Sequence, residues 1–185
     1  MSDKKNPPKL ADALEKADLL HDRATLMRAI ERIGKEITRD FANSATPPLF
    51  TTVMNGGLIF AGHLALAIPI DMEFDYVHAT RYRGDTRGGK VAWLKAPHVP
   101  MLNRHVLLID DILDEGYTLA GVRDHCLAQG AASVRIAVLC EKRHDRRVPN
   151  MEAEYVGVEV TDRYVFGFGM DYYEQGRNLD GIYAI

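Results

Sequence analysis

A chain of 185 residues, 46% apolar and 26% charged, is long enough to bury one real core and too short to divide into two, so a single domain is expected. A formal charge of −3 excludes a protein that grips nucleic acid by broad phosphate neutralisation, while leaving room for a small basic pocket. The two cysteines, Cys126 and Cys140, stand in no metal or redox spacing and are expected to be buried small hydrophobes of a reducing compartment.

From the N-terminus, Met1 to Lys9 is charged, carries Pro7 and Pro8 and has no apolar run behind it. A secretory signal is therefore not expected, and the chain is assigned to the cytoplasm. Leu26, Ile30, Ile33 and Ile37 recur at steps of three and four after Asp22, which predicts an amphipathic helix from about Arg23 to Asp40 with Asp22 as N-cap. Asn43 to Pro48 breaks that period. Leu49 to Met54 then forms a predicted buried strand, Asn55-Gly56-Gly57 a tight turn and Leu58 to Ala67 a helix. The most apolar stretch, Leu58 to Ile70, falls short of the roughly 20 residues a bilayer crossing needs and is interrupted by His63, so no membrane partner is expected.

Arg81 to Val91 is rich in Gly, Arg and Asp without periodicity, and a mobile surface loop is expected there. Within it, Gly84 to Lys90 meets part of a P-loop pattern. Val91 stands where that pattern needs Ser or Thr for Mg²⁺, and no strong strand feeds the stretch, so the match is dismissed. Val106 to Ile109 is a short apolar strand, Asp110 to Gly116 a polar loop, and Tyr117 to Gln129 a helix through Leu119, Val122, Cys126 and Leu127, ended by Gly130. Ser133 to Leu139 is another strand; Tyr155 to Val160 and Tyr164 to Phe168 are shorter ones. Strands alternating with helices imply an α/β fold, a mostly parallel sheet covered on both faces, with ligands beyond the carboxyl ends of the strands.

The segment Val106 to Leu119 carries the chemistry. Asp110 and Asp111 leave a strand end, where carboxylates can accept hydrogen bonds from vicinal sugar hydroxyls or hold a hard cation such as Mg²⁺. Backbone N–H groups of Glu115, Gly116, Tyr117 and Thr118 lie at a helix N-terminus that favours a phosphate.

This segment closely resembles the phosphoribosyl-pyrophosphate signature of the type I phosphoribosyltransferases, and residues from Leu49 onward resemble their 6-oxopurine branch, the hypoxanthine-guanine phosphoribosyltransferases. The resemblance implies a Rossmann-like type I phosphoribosyltransferase fold, with a small hood from the chain ends (about 1–22 and 155–185) and a lid over about 81–91. It also implies a purine salvage transferase that converts hypoxanthine or guanine and phosphoribosyl pyrophosphate to IMP or GMP and pyrophosphate. Asp114 would be the catalytic proton acceptor and donor at purine N7. Lys142 would donate to the 6-oxo group, Tyr164 stack on the base, the Val165 backbone read its N1 and N2 edge, and Asp171 approach Mg²⁺ and the base edge.

Asp110, Asp111 and Asp171 would be the metal carboxylates, and Arg177 would contact pyrophosphate. Asn55, Gly56 and Gly57 match the loop whose amides approach pyrophosphate, with Asn55 where Lys is usual. A strained or cis Met54-Asn55 peptide is expected from the same similarity. Arg81 stands where Ser is frequent and would supply part of the missing charge; Glu115 stands where Ser or Thr is common. A homodimer or homotetramer is expected by similarity. Two alternatives stay open at this point, a transferase for xanthine or a pyrimidine, and a non-enzymatic RNA-binding regulator on the same fold, whose signature lacks an acid at the position of Asp114.

Overall fold

The computed structural model describes residues 7–81 and 91–185, with the side chain of Arg81 left out; the expected lid, apart from its two end residues, and residues 1–6 of the expected hood lie outside the described residues. In chain order the elements are α1 (Leu10–Leu14), β1 (Asp18–His21), α2 (Arg23–Phe41), β2 (Leu49–Met54), α3 (Leu58–Leu66), β3 (Glu73–Arg81) and β4 (Val91–Lys95). They continue with β5 (His105–Leu113), α4 (Tyr117–Ala128), β6 (Ser133–Lys142), β7 (Tyr155–Val160), β8 (Val165–Phe166) and β9 (Ile182–Ala184).

The main sheet has the order β4-β3-β2-β5-β6-β7, all parallel except the edge strand β4. Period-two alternation splits its residues between two cores. Phe50, Leu107, Ile109, Ala137 and Leu139 pack against Leu26, Ile30, Ile33 and Ile37 of α2 and Phe60 and Leu64 of α3. Leu49, Val53, Val106, Leu108, Ile136 and Val138 meet Leu119, Val122 and Cys126 of α4 on the opposite face. Asp22 caps α2 as expected, accepting from the Thr25 N–H at 2.8 Å.

Strand order reverses between β2 and β5: β3 and β4 lie to one side, β6 and β7 to the other. A crevice opens beyond the strand ends at such a reversal, because the two crossover connections leave in opposite directions. A second sheet, β1-β9-β8, is antiparallel and joins the two ends of the chain, with Asp18 opposite Ala184. Ala13, Phe166 and Tyr172 form a small core of their own beside it. No helix among the described residues is long and apolar enough to cross a membrane.

Several elements differ from the sequence reading: α1, β1, β4 and β9 were not foreseen, and β6 runs on past Leu139 to Lys142. β5 does not end at Ile109 but runs to Leu113, paired with β6 through Asp110↔Val138 and Ile112↔Cys140. Hydrophobic alternation resumes at Ile112 and Leu113 on the far side of the two aspartates, and the ladder carries the strand across them. β8 stops at Phe166 because Gly167, Phe168 and Gly169 all have positive φ (97°, 50° and 111°), which no strand accommodates. β3, absent from the sequence reading, pairs in register with the whole of β2 and turns Phe74 and Tyr76 outward.

Candidate active site

The carboxyl ends of β2 and β5 meet the segment after β8 at the reversal point. Gly56 follows β2, and a Cβ there would lie 2.6 Å from Cγ and 2.8 Å from Oδ1 of Asp111, closer still to Oδ2. The missing side chain is the space the Asp111 carboxylate fills. A Cβ on Gly57 would lie 2.7 Å from the Ile109 carbonyl oxygen and 2.8 Å from that of Val53, so this glycine lets the start of α3 pack on the sheet. Gly57 is not on the cleft wall, whereas Asn55 and Gly56 are. The Met54-Asn55 peptide is cis.

Asp110 and Asp111 stand side by side, and the Asp111 N–H donates to Asp110 Oδ1 at 2.9 Å. Burial, then the neighbouring Asp111 charge, push the Asp110 carboxyl well above the usual range, and burial pushes Asp111 up as well. The pair is costly in this form and gains from sugar hydroxyls or a cation. Downstream, Gly116 (φ 84°) turns the chain into α4, and the N-terminus of that 12-residue helix opens on a cleft of about 380 Å³ walled by Asp110, Asp114, Glu115, Gly116, Tyr117, Thr118 and Arg146. Helix dipole and backbone amides favour an anion there.

A larger cleft of about 520 Å³ adjoins it, sharing Asp110, Asp111, Ile112, Asp114 and Thr118. Its walls bring together Lys142, Tyr164, Val165, Asp171 and Arg177, which the sequence placed in one site although up to 122 residues separate them from Asn55. Asp114 sits between the two clefts. Lys142 Nζ donates to its Oδ2 at 2.6 Å, and His144 Nε2 lies 2.6 Å from its Oδ1. Burial would raise the Asp114 carboxyl, but these hydrogen bonds more than offset it and hold the group below its ordinary value. Arg177 is held in a fork, donating to the Gly169 carbonyl at 2.8 Å and pairing with Asp171 Oδ1 at 2.7 Å. Tyr164, half exposed, stacks on Tyr173 with ring centroids 6.1 Å apart.

Among the described residues, six carboxylates (Asp110, Asp111, Asp114, Glu115, Asp171, Glu174) face three strong cations (Lys142, Arg146, Arg177) across the two clefts. Such a wall suits a polyanion only with additional positive charge. Among the described residues no three His, Cys, Asp or Glu side chains form a ready cage for a metal. The adjacent oxygen donors of Asp110 and Asp111 are of the kind that could take up a hard divalent cation such as Mg²⁺.

Arg146 and His144 escaped the sequence reading, as did His78, Thr80 and Glu174 on the wall of the larger cleft. Arg146 lines the smaller cleft and is paired with both oxygens of Asp162 at 2.7 and 2.8 Å. His144 lies directly behind Asp114. The one signal of Arg146 and His144 in the sequence is position, immediately past a strand that ends at the crevice.

A profile for the phosphoribosyl transferase domain matches residues 16–175. The hypoxanthine-guanine phosphoribosyltransferase of Streptococcus pneumoniae is 33% identical over 94% of each chain, and that of Streptococcus mutans 35% identical over 87% of this chain and 88% of its own. Among solved structures, a hypoxanthine-guanine phosphoribosyltransferase from Bacillus anthracis superposes with a TM-score of 0.83 at 30% identity, covering 91% of this chain and 98% of that one. A hypoxanthine phosphoribosyltransferase from Staphylococcus aureus gives 0.85 at 27% identity over 96% of both.

Proposed function

The chain belongs to the phosphoribosyl transferase family, and from that premise we infer that its double cleft joins hypoxanthine or guanine to the ribose phosphate of phosphoribosyl pyrophosphate. It is a pentosyltransferase of purine salvage. The observation that carries the residue-level reading is the position of Asp114, at the junction of an anion cleft and a cleft walled by Lys142, Tyr164 and Val165.

The 5′-phosphate sits against the α4 N-terminus from Glu115 to Thr118, and Asp110 and Asp111 hold the ribose hydroxyls. Loss of pyrophosphate from the anomeric carbon leaves positive charge on the ribose and negative charge on the leaving oxygen, so both ends need prearranged electrostatics. Arg177, with the amides of Asn55 and Gly56 and the charge of Arg81, serves the leaving side. Asp110, Asp111 or Asp171 would hold Mg²⁺, which would supply further neutralisation of the leaving pyrophosphate. Purine N9 attacks C1′ while the N7 proton passes to Asp114.

Lys142 selects the base by donating to a 6-oxo oxygen; adenine presents a donor there and is a poor substrate. Xanthine differs only at the edge facing Val165 and Asp171. The same reading makes the β1-β9-β8 sheet with α1 the hood over the base, residues 81–91 a lid that excludes water, the assembly a homodimer or homotetramer and the compartment the cytoplasm. A pyrophosphate-release assay with Mg²⁺, phosphoribosyl pyrophosphate and a panel of hypoxanthine, guanine, xanthine, adenine and uracil tests it. Turnover with the first two is expected; turnover confined to xanthine or uracil, or none at all, refutes the assignment.

A further inference from the structure

His144 lies just past the end of β6, two residues after Lys142, and its side chain is only 3% exposed. Two hydrogen bonds define its state. The backbone N–H of Arg146 donates to Nδ1 at 3.1 Å. A donor can meet only an unprotonated ring nitrogen, so the imidazole carries its proton on Nε2. Nε2 is 2.6 Å from Asp114 Oδ1, and the Nε2–H therefore donates to the carboxylate.

Among the described residues, the other hydrogen-bond partner of the Asp114 carboxylate is Lys142, on Oδ2 at 2.6 Å. A 6-oxopurine offers Lys142 a competing acceptor, its 6-oxo oxygen, and once Lys142 turns to that oxygen the Asp114 side chain, 40% exposed, would be left to swing. We propose that His144 is the positioning residue of the base-binding cleft: its Nε2–H keeps Oδ1, so that Oδ2 faces purine N7 while Lys142 moves to the 6-oxo group. The proton from N7 then passes to Oδ2, the electron pair it leaves stays in the purine ring for N9 to use on C1′, and His144 keeps its own proton. This deepens, and rests on, the transferase reading.

The test compares wild type with His144→Ala and His144→Gln, because the Gln Nε2 amide reaches the same place as the imidazole Nε2 and can still donate. His144→Ala is expected to lower kcat for hypoxanthine about tenfold with KM for phosphoribosyl pyrophosphate within about twofold, and Gln to recover most of that loss. Ring ¹⁵N spectra of the wild-type protein should show the Nε2–H tautomer near neutral pH. A wild-type kcat in the alanine variant, equal impairment of both variants with equal loss of thermal stability, or an Nδ1–H tautomer each overturns the proposal while leaving the transferase reading in place. A wild-type chain that releases no pyrophosphate with any 6-oxopurine removes the transferase reading, and this proposal with it.

Discussion

Replacing Gly56 with alanine places a methyl group into the Asp111 carboxylate, 2.6 Å from Cγ where ordinary contact begins near 3.4 Å. The carboxylate cannot simply retreat. Asp111 is buried, so its side chain has little free space to move into. Relief therefore needs a movement of close to an ångström in the side chain proposed to hold the ribose. Misplacement of that size in a positioning group costs about 100-fold in rate, and overpacking costs about 1–3 kcal/mol of stability.

Gly62 is the internal control. It lies inside α3, exposed, with no atom within 4 Å of a built Cβ, so alanine there should stabilise by up to about 1 kcal/mol through helix propensity and leave turnover alone. Steady-state pyrophosphate release and thermal melts of the two variants check both arms. Wild-type kcat/KM for phosphoribosyl pyrophosphate in Gly56→Ala would refute the argument that the glycine exists to admit Asp111.

Asp114→Asn keeps shape but removes the proton acceptor, so kcat should fall by about 10²- to 10⁴-fold while phosphoribosyl-pyrophosphate binding, followed calorimetrically, is largely retained; near-normal turnover refutes the assigned role. Asp75 bears on stability instead. Burial would raise its carboxyl, but Lys95 and the N–H groups of Val99, His98 and Tyr76 hold it below the ordinary value. Its contribution is therefore complete above the unfolded carboxylate pKa of about 3.9 and lost as pH falls through the lower folded value. Asp75→Ala should cost about 1–3 kcal/mol in urea denaturation at neutral pH, with the gap closing in acid; a gap that persists below both values contradicts the linkage. Burial also pushes the Cys126 thiol up to about 11 and, with the Asp111 charge, Cys140 well above its ordinary value. A disulfide reagent at mildly alkaline pH should titrate neither thiol in the native protein and both in denaturant, and rapid native labelling would contradict the burial of both.

Local signals were enough to read α2, β2, α3 and α4: α2 buries one face at a 3.6-residue period, whereas β2, buried on nearly its whole length, and the two shorter helices were legible as apolar runs bounded by Pro and Gly. Asp110 and Asp111 were legible as site residues through their place after four apolar residues, but not as members of a strand. That depends on β6, which extends to Lys142 and offers Val138 and Cys140 as partners. β1 and β9 were invisible for a similar reason: Asp18 and Ala184 pair across nearly the whole chain, and strands of four and three residues carry no period of their own. His144 is one more histidine in a polar stretch until the fold sets it 2.6 Å from Asp114.

By itself the sequence determined which residue types stand at each strand end, hence an acidic pair, a glycine-containing helix start and a lysine past the next strand. Only the tertiary structure decided what those groups touch: the fit of Asp111 over Gly56, the two oxygens of Asp114 divided between Lys142 and His144, the fork of Arg177 on Gly169 and Asp171. Identity and period are properties of neighbours in the chain, whereas hydrogen-bond partners and burial come from pairings between distant segments, which no local spacing encodes.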